Sequence, residues 1–427
     1  MSALSATASA MAPTTTLRAV AAATIGNALE WFDLVVYGFF APVMADLFFP
    51  GKDPHVGLLY AFGTFGISFV VRPVGAVLVG RFADRSGRRA ALVLVSGLMM
   101  LGTLMIAVMP PYSRIGVAAP ALLLIARLVQ GFSAGGEFGS ATAYLAEQSP
   151  RHRGFYASLQ FASQGLSTLL ASLLGLILTT TLSSEQLHDW GWRVPFVLGL
   201  AIGPVAWFIR SHAPETPEFE ALRAGKSGEA RAGRPARTVS KVIAGTAAVI
   251  VGTVSMYLML YTPTFATTVL ELNVAVGFAA TLAMGVTLLV LPPVMGAWSD
   301  RIGRLPLALP TAALLVVLPI PLFLWLVDGP SGLKVVLVQT ALGLVTATYL
   351  GVLAPLLAEL FPVDFRTTGL SLCYNLAVVA AGGFAPLAVT ALVKLTGSHA
   401  APGFYLAAGA AVSLPALIVV KAQRWVR

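Results

Sequence analysis

The feature that most limits what this chain can become is a set of twelve long, mostly apolar stretches. They run at about residues 18–47, 57–80, 90–110, 118–146, 154–182, 193–210, 240–268, 275–298, 305–327, 333–360, 366–394 and 401–420. Each matches the roughly 20 residues that an α-helix needs to cross the hydrocarbon core of a bilayer. Lipid offers backbone groups no water to bond, so a spanning segment is either a helix or part of a closed barrel. Barrel strands would show short alternating segments, and these runs are long and continuous. The expected fold is an all-α integral membrane protein with twelve transmembrane helices. Composition agrees, since 57% of the 427 residues are hydrophobic and only 11% are charged, a balance foreign to soluble domains.

The net charge of +9 would suit a nucleic-acid partner, but the placement of the charges argues against one. Of the 27 Lys and Arg residues, 20 fall on one side if both termini are cytoplasmic: Arg18, Arg81, Arg85, Arg88, Arg89, Arg151, Arg153, Arg210, Arg223, Lys226, Arg231, Arg234, Arg237, Lys241, Arg301, Arg304, Arg366, Lys421, Arg424 and Arg427. The other side holds Lys52, Arg114, Lys334 and Lys394, with Arg193 at a helix start. This is the positive-inside bias of a multi-pass protein of the inner (plasma) membrane. Residues 1–17 lack both a basic start and an apolar run, which predicts a disordered cytoplasmic tail and not a signal peptide. The single Cys373 permits no internal disulfide, and the five His residues fall in loops or near membrane ends, so no metal site is expected. No Gly-x-x-x-x-Gly-Lys-Ser/Thr loop is present. The chain is therefore read as neither an ATPase nor any other enzyme, with no catalytic residues, no cofactor beyond a coupling proton, membrane lipid as solvent and a monomeric state.

Self-comparison shows a repeat. Gly80, Asp84, Arg85, Gly87 and Arg88 recur with identical spacing as Gly296, Asp300, Arg301, Gly303 and Arg304. A looser echo pairs Glu147, Pro150, Arg153 and Gly154 with Glu359, Pro362, Arg366 and Gly369. The offset is half the chain, so two six-helix halves, 18–210 and 240–420, are expected around a polar cytoplasmic linker, 211–239, with a short tail at 421–427. The repeats fall at loops after spans 2 and 8 and after spans 4 and 10. Asp84 there is placed to meet a positive partner or a helix N-terminus.

Ionisable residues within spans are costly and point to function by default. On span 1, Asn27, Glu30, Asp33 and Tyr37 share a sector of roughly 120°. On span 4, Arg127, Gln130 and Glu137 share a face, yet Arg127 and Glu137 are about 15 Å apart along the axis and each needs a partner on another helix. Asp33, Glu30 and Glu137 are the candidates for proton coupling. Candidates for substrate binding are Arg127, Arg72 before Pro73, Arg193, Asn27, Tyr37, Gln130, Gln164 on span 5, Tyr257 and Tyr261 on span 7, and Asn375 on span 11. The plain alternative is that Arg127 merely neutralises Glu30 or Asp33, that Arg193 snorkels to the interface, and that the polar stripes are interhelical glue.

The loop Gly80-Arg-Phe-Ala-Asp84-Arg-Ser-Gly87-Arg88-Arg89, found twice, resembles the signature of the major facilitator superfamily. More narrowly the chain resembles the metabolite:proton symporters, through Glu30-Trp-Phe-Asp33, Arg72-Pro73-Val-Gly75, Arg127-Leu-Val-Gln130-Gly131-Phe-Ser-Ala-Gly-Gly136-Glu137, Gly191-Trp192-Arg193-Val-Pro195-Phe196, Glu215-Thr216-Pro217 and Tyr374-Asn375. Within them Tyr261-Thr-Pro263-Thr-Phe and the run from Phe384-Ala-Pro386 to Leu395-Thr-Gly397 look most like the citrate and tricarballylate carriers, while Tyr374-Asn375 is the general family pattern. The resemblance implies proton-coupled uptake of a small organic anion by alternating access. It also implies a cytoplasmic gate made of Gly80, Asp84, Arg85, Gly87, Arg88, Asp300, Arg301, Arg304, Glu147, Arg153, Glu359 and Arg366, with Asp84 expected to matter more than Asp300. A zwitterion of the betaine or proline type is the other substrate class, and passive facilitation the other mode.

Overall fold

The structure is a computed structural model, and it describes residues 13–51, 54–212, 215–216, 219–220 and 235–426. Residues 1–12 of the expected tail, Lys52, most of the expected linker with Pro217, Arg223, Lys226, Arg231 and Arg234, and Arg427 lie outside the described residues, as do the side chains of Arg18, His55 and Arg237. Among the described residues there is no strand.

The helices in chain order are α1 (Pro13–Phe39), α2 (Ala41–Phe48), α3 (Pro54–Val70), α4 (Arg72–Ser86), α5 (Arg88–Ala107), the short α6 (Tyr112–Ile115), α7 (Ala118–Ala146), α8 (Arg153–Thr181), the short α9 (Ser184–Asp189) and α10 (Val194–Ser211). After the linker come α11 (Pro235–Thr268), α12 (Val274–Ile302), α13 (Leu305–Val317), α14 (Pro319–Val327), α15 (Gly332–Leu360), α16 (Arg366–Ala377), α17 (Ala385–Thr396) and α18 (Ala401–Ala422). By length and composition ten helical segments can cross a membrane, or eleven when a bent pair is counted as one span. The eighteen-residue α10 stands where a sixth crossing is expected.

Three expected spans are not straight rods. The first bends by 66° between α1 and α2, where Pro42 at the start of α2 withholds a backbone donor from the ladder. The ninth breaks at Leu318, before Pro319. The eleventh passes from α16 through a π-helical turn, Val378–Gly382, into α17, a local distortion that is frequent at functional sites. The repeated motif also differs from the expected loops. Residues 80–86 and 296–302 remain helical, and only Gly87 (φ 108°) and Gly303 (φ 92°) break the chain. Positive φ is cheap for glycine alone, so each motif puts its Asp on the last turn of one helix and swings directly into the next.

The halves pack most extensively along α8 and α12. Small residues make this possible: a Cβ on Gly165 would fall 2.4 Å from the Leu288 backbone, and one on Gly285 2.9 Å from that of Leu169. Without a hydrophobic driving force in lipid, such close backbone approach supplies much of the helix association.

Candidate transport site

The interior site is assembled from α1, α5 and α7. Arg127 of α7 is 1% exposed, and its Nη1 donates to Gln130 Oε1 one turn on, at 2.8 Å. Gln130 Nε2 donates to Thr103 Oγ1 of α5 at 3.1 Å, and that hydroxyl donates to Asp33 Oδ2 of α1. Asp33 is 2% exposed, and its other oxygen has no partner. Arg127 and Asp33 are thus joined through two neutral side chains, and no direct ion pair links Arg127 to Asp33 or Glu30 among the described residues.

Aromatic rings hold the guanidinium instead. Arg127 Cζ lies 4.4 Å from the centroid of Tyr37 and 5.3 Å from that of Phe65, and its Nε has no partner. Tyr37 is stacked on Phe65 and donates its hydroxyl to Ala61 O at 3.3 Å. Arg72, at the start of α4 and 4% exposed, lies 4.4 Å over Phe69 and makes no ion pair among the described residues. Tyr257 of α11 closes this region from the second half, edge-on to Trp31, Phe65 and Phe69. Such cation–π contacts contribute roughly 2 kcal/mol or more when desolvated; they occupy the guanidinium faces and not the edges, and at Arg127 Gln130 takes one edge.

Other candidates are placed elsewhere. Glu137 is held by Arg210 of α10, with Nη1 3.2 Å from Oε2 and Nη2 bonded to Oε1. Arg210 also bonds Ser96 Oγ at 2.6 Å and Leu92 O at 3.2 Å. Reading Arg210 as a topology charge at the inner end of span 6 is therefore corrected: it is 2% exposed. Its guanidinium passes over Gly26, where any Cβ would collide with it. Glu30 lines a small cavity with Arg210 and Ser96 and makes no hydrogen bond or ion pair among the described residues. Asn27 is saturated by α8, donating to Ser163 Oγ at 2.6 Å and Gln160 O at 3.1 Å and accepting from Gln160 at 2.7 Å. Asn375 donates across the halves to Gly135 O, and to Ser371 O, both at 2.7 Å. Gln164 is buried, with Oε1 unpartnered. Tyr261 lines a separate cavity inside the second half with Thr262 and Gln339. Arg193 stands apart from the site, donating to Asp189 O at 2.8 Å and Met109 O at 3.0 Å.

The repeated motifs meet at the other group of polar residues. Asp84 accepts from Thr368 N (3.2 Å) and Oγ1 (2.6 Å) at the start of α16, and pairs with Arg88 at 3.2 Å. Asp300 accepts from Gly154 N (2.8 Å) and Phe155 N (3.1 Å) at the start of α8, and pairs with Arg304 at 2.8 Å. Each carboxylate therefore crosses to the opposite half and meets a helix N-terminus, where free N–H groups and the macrodipole favour negative charge. Gly80 leaves room for this approach, since its Cβ would lie 3.1 Å from Thr368. Glu147 binds Arg366 of the other half at 3.0 Å, Arg88 at 3.5 Å and Thr216 Oγ1 at 2.6 Å. Its counterpart Glu359 pairs within its own half, with Arg304 at 2.9 Å. Arg153 Nε donates to Ala146 O at 3.4 Å, and Arg85 and Arg301 are exposed.

Four side chains in these networks are not among the site residues expected from the sequence. Arg210 looked like a topology charge and Thr103 like one polar residue in an apolar run. Glu215 caps the start of α5 through Arg88 N (3.1 Å) and Arg89 N (3.3 Å), and Thr368 receives Asp84. For Glu215 the Glu-Thr-Pro motif was the available signal; for Thr103 there was none.

Comparison with known proteins follows the same division. The model of the sugar (and other) transporter family matches residues 19–242 and again 233–421. The chain is 38% identical over 403 residues to the citrate-proton symporter of Salmonella typhi, covering 94% of this chain and 93% of that protein. It is 36% identical to the alpha-ketoglutarate permease of Escherichia coli K12 (88% and 87% covered) and 34% identical to the proline/betaine transporter of the same strain (95% and 83%). Among solved structures it superposes on a proton:xylose symporter of the major facilitator superfamily with a TM-score of 0.80 at 17% identity, over 96% of each chain. A human organic anion transporter gives 0.66 at 16% identity, over 95% and 100%. At those identities the superpositions speak to the fold alone.

Proposed function

This chain belongs to the sugar (and other) transporter family of the major facilitator superfamily, and from that premise we propose that it is a proton-coupled symporter for a small organic acid anion, a tricarboxylate or dicarboxylate such as citrate. It is a multi-pass membrane transporter; uptake across the inner membrane by alternating access is the mode we assign.

The observation that carries the reading is that Arg127 and Arg72 are buried with no carboxylate in ion-pair contact among the described residues. A buried cation left unpaired is strongly unfavourable, and a ligand carboxylate supplies the missing charge through two parallel hydrogen bonds to a guanidinium. Two such cations in one region suit a substrate with more than one carboxylate. The coupling follows from Asp33, whose negative charge reaches Arg127 through Thr103 and Gln130. Protonation of Asp33 removes that competing charge and raises the pull on an anion; release of the anion restores it. Proton and anion therefore bind in the same direction. The relatives named as citrate-proton symporter and alpha-ketoglutarate permease support this choice.

A zwitterion is the second reading, favoured by the ring faces of Trp31, Phe65, Phe69 and Tyr257, which would suit a quaternary ammonium group, and by the proline/betaine relative. Uptake of labelled citrate, tricarballylate, 2-oxoglutarate, acetate and betaine into proteoliposomes, with and without an inward proton gradient, separates the two. Gradient-driven uptake of the polycarboxylates supports the proposal. Uptake of betaine alone replaces it with the second reading, and uptake indifferent to the gradient makes the protein a facilitator.

A further inference from the structure

Thr103 occupies a position from which it can report the charge of Asp33 to Arg127. A hydroxyl has one proton to donate and two lone pairs to accept with. Two acceptors compete for that proton, Asp33 Oδ2 and Met99 O, the latter at 3.0 Å in the preceding turn of α5. The lone pairs meet Gln130 Nε2 at 3.1 Å. The Gln130 amide is thereby oriented with its oxygen on Arg127 Nη1 at 2.8 Å, which covers one edge of the guanidinium. The surroundings isolate this chain of contacts. Asp33 Oδ1 faces Gly199 of α10, so close that a Cβ there would lie 2.8 Å away. The charged group acting on Asp33 from another helix is Arg127 of α7, and Glu30 is its ionisable neighbour on α1. Arg127 in turn is faced by Tyr37 of α1, Arg72 of α4 and Tyr257 of α11.

We propose that Thr103 is the positioning residue of proton coupling: a hydroxyl rotor that, with Gln130, converts the protonation of Asp33 into exposure of the Arg127 guanidinium to the anion. This rests on the assignment of Asp33 and Arg127 above. With Asp33 ionised, the hydroxyl proton points at the carboxylate, its lone pairs face Gln130, and the amide oxygen stays on Arg127. With Asp33 protonated, the carboxylic acid becomes the donor to Thr103 Oγ1 and the hydroxyl proton turns to Met99 O; the oxygen then accepts from both the acid and Gln130, and without a carboxylate to polarise it, it holds the amide less strongly. The amide is loosened and the Nη1 edge becomes available to a substrate carboxylate. Protons balance at each step: one is gained at Asp33, and the Thr103 proton only changes acceptor.

The test uses the full chain in detergent or proteoliposomes, with labelled citrate as the probe, and measures its Kd at mildly acidic and mildly alkaline pH. The wild type is expected to bind about tenfold more tightly at acidic pH, the ratio that one charge-assisted hydrogen bond of about 1.4 kcal/mol produces. Thr103→Val preserves the branched shape and removes the rotor, and its two Kd values are expected to converge. Thr103→Ser is expected to restore the wild-type ratio, which a purely structural role for the residue would not require. Gln130→Met removes the cover from Arg127 and is expected to bind tightly at both pH values. If Thr103→Val or Gln130→Met kept the tenfold ratio, the relay would be overturned while the symport reading stood. A wild type with equal Kd values at both pH values would remove the reading and the relay together.

Discussion

At the repeated motif the two halves use the same parts. Asp84 and Asp300 each end a helix, each pair with the Arg four residues on, and each reach the N-terminus of a helix in the opposite half. Midway along the helices the halves diverge. The first carries Glu30, Asp33, Arg72, Arg127 and Glu137, while the second presents Tyr257, Tyr261, Ser371 and Asn375. The difference teaches what each region is required to do. Docking on a helix N-terminus needs only a carboxylate and a glycine-permitted approach, so duplication preserves it. Charge in the interior is costly, and one half that concentrates it can bind and couple while the other closes over it with neutral groups.

The comparison breaks most severely at Glu137. Glu137→Gln removes the carboxylate charge bonded to the buried Arg210, and removing the charge of one member of such a pair costs about 3–5 kcal/mol. A marked fall in membrane abundance and thermal stability is expected, whereas Asn375→Ala in the second half, which deletes neutral bonds of about 1 kcal/mol each, is expected to fall much less. Equal losses would mean that the interior charges are no more demanding than the neutral contacts.

Arg127→Lys sharpens the assignment of chemistry to the first half. An ammonium keeps the charge and loses the planar fork, so anion affinity should drop by about 2 kcal/mol, roughly thirtyfold, at unchanged abundance. Normal affinity would assign Arg127 to packing.

The smallest effect is expected at the repeated motifs, where Asp84→Asn and Asp300→Asn should each cost about 1–2 kcal/mol of the state in which the two halves meet there. Sequence reasoning placed Asp84 first. The contacts favour the opposite order, which is the outcome expected here: Asp300 holds two backbone N–H groups and a close Arg304, whereas Asp84 holds one backbone N–H, the Thr368 hydroxyl and a longer pair with Arg88. Transport rates of the two variants at matched abundance check the order.

How much was legible follows from what each feature depends on. Lipid demands long apolar helices, so most segment ends were readable to within a few residues, whereas the bend at Pro42 and the break at Pro319 fell inside runs read as continuous, because apolarity alone does not register a missing backbone donor. The pairing of the two motifs was legible because the motif occurs twice, although its helical course up to Ser86 and Ile302 was not, since basic residues beside glycine look like a loop. Arg210 was hidden because a charge at the end of an apolar helix has two readings, snorkelling outward or turning inward over Gly26, and only packing chooses. Asn27 shared its helical face with Asp33, yet α8 claims it, because a face of a helix borders more than one neighbour.

In the proposed cycle a proton on Asp33 drives the anion. In one preparation of proteoliposomes, citrate accumulation driven by a pH gradient and counterflow exchange of labelled for unlabelled citrate are measured for the wild type and Asp33→Asn. Exchange needs no net proton movement, so the variant is expected to lose accumulation while counterflow continues. Gradient-driven accumulation at wild-type level in Asp33→Asn would contradict it.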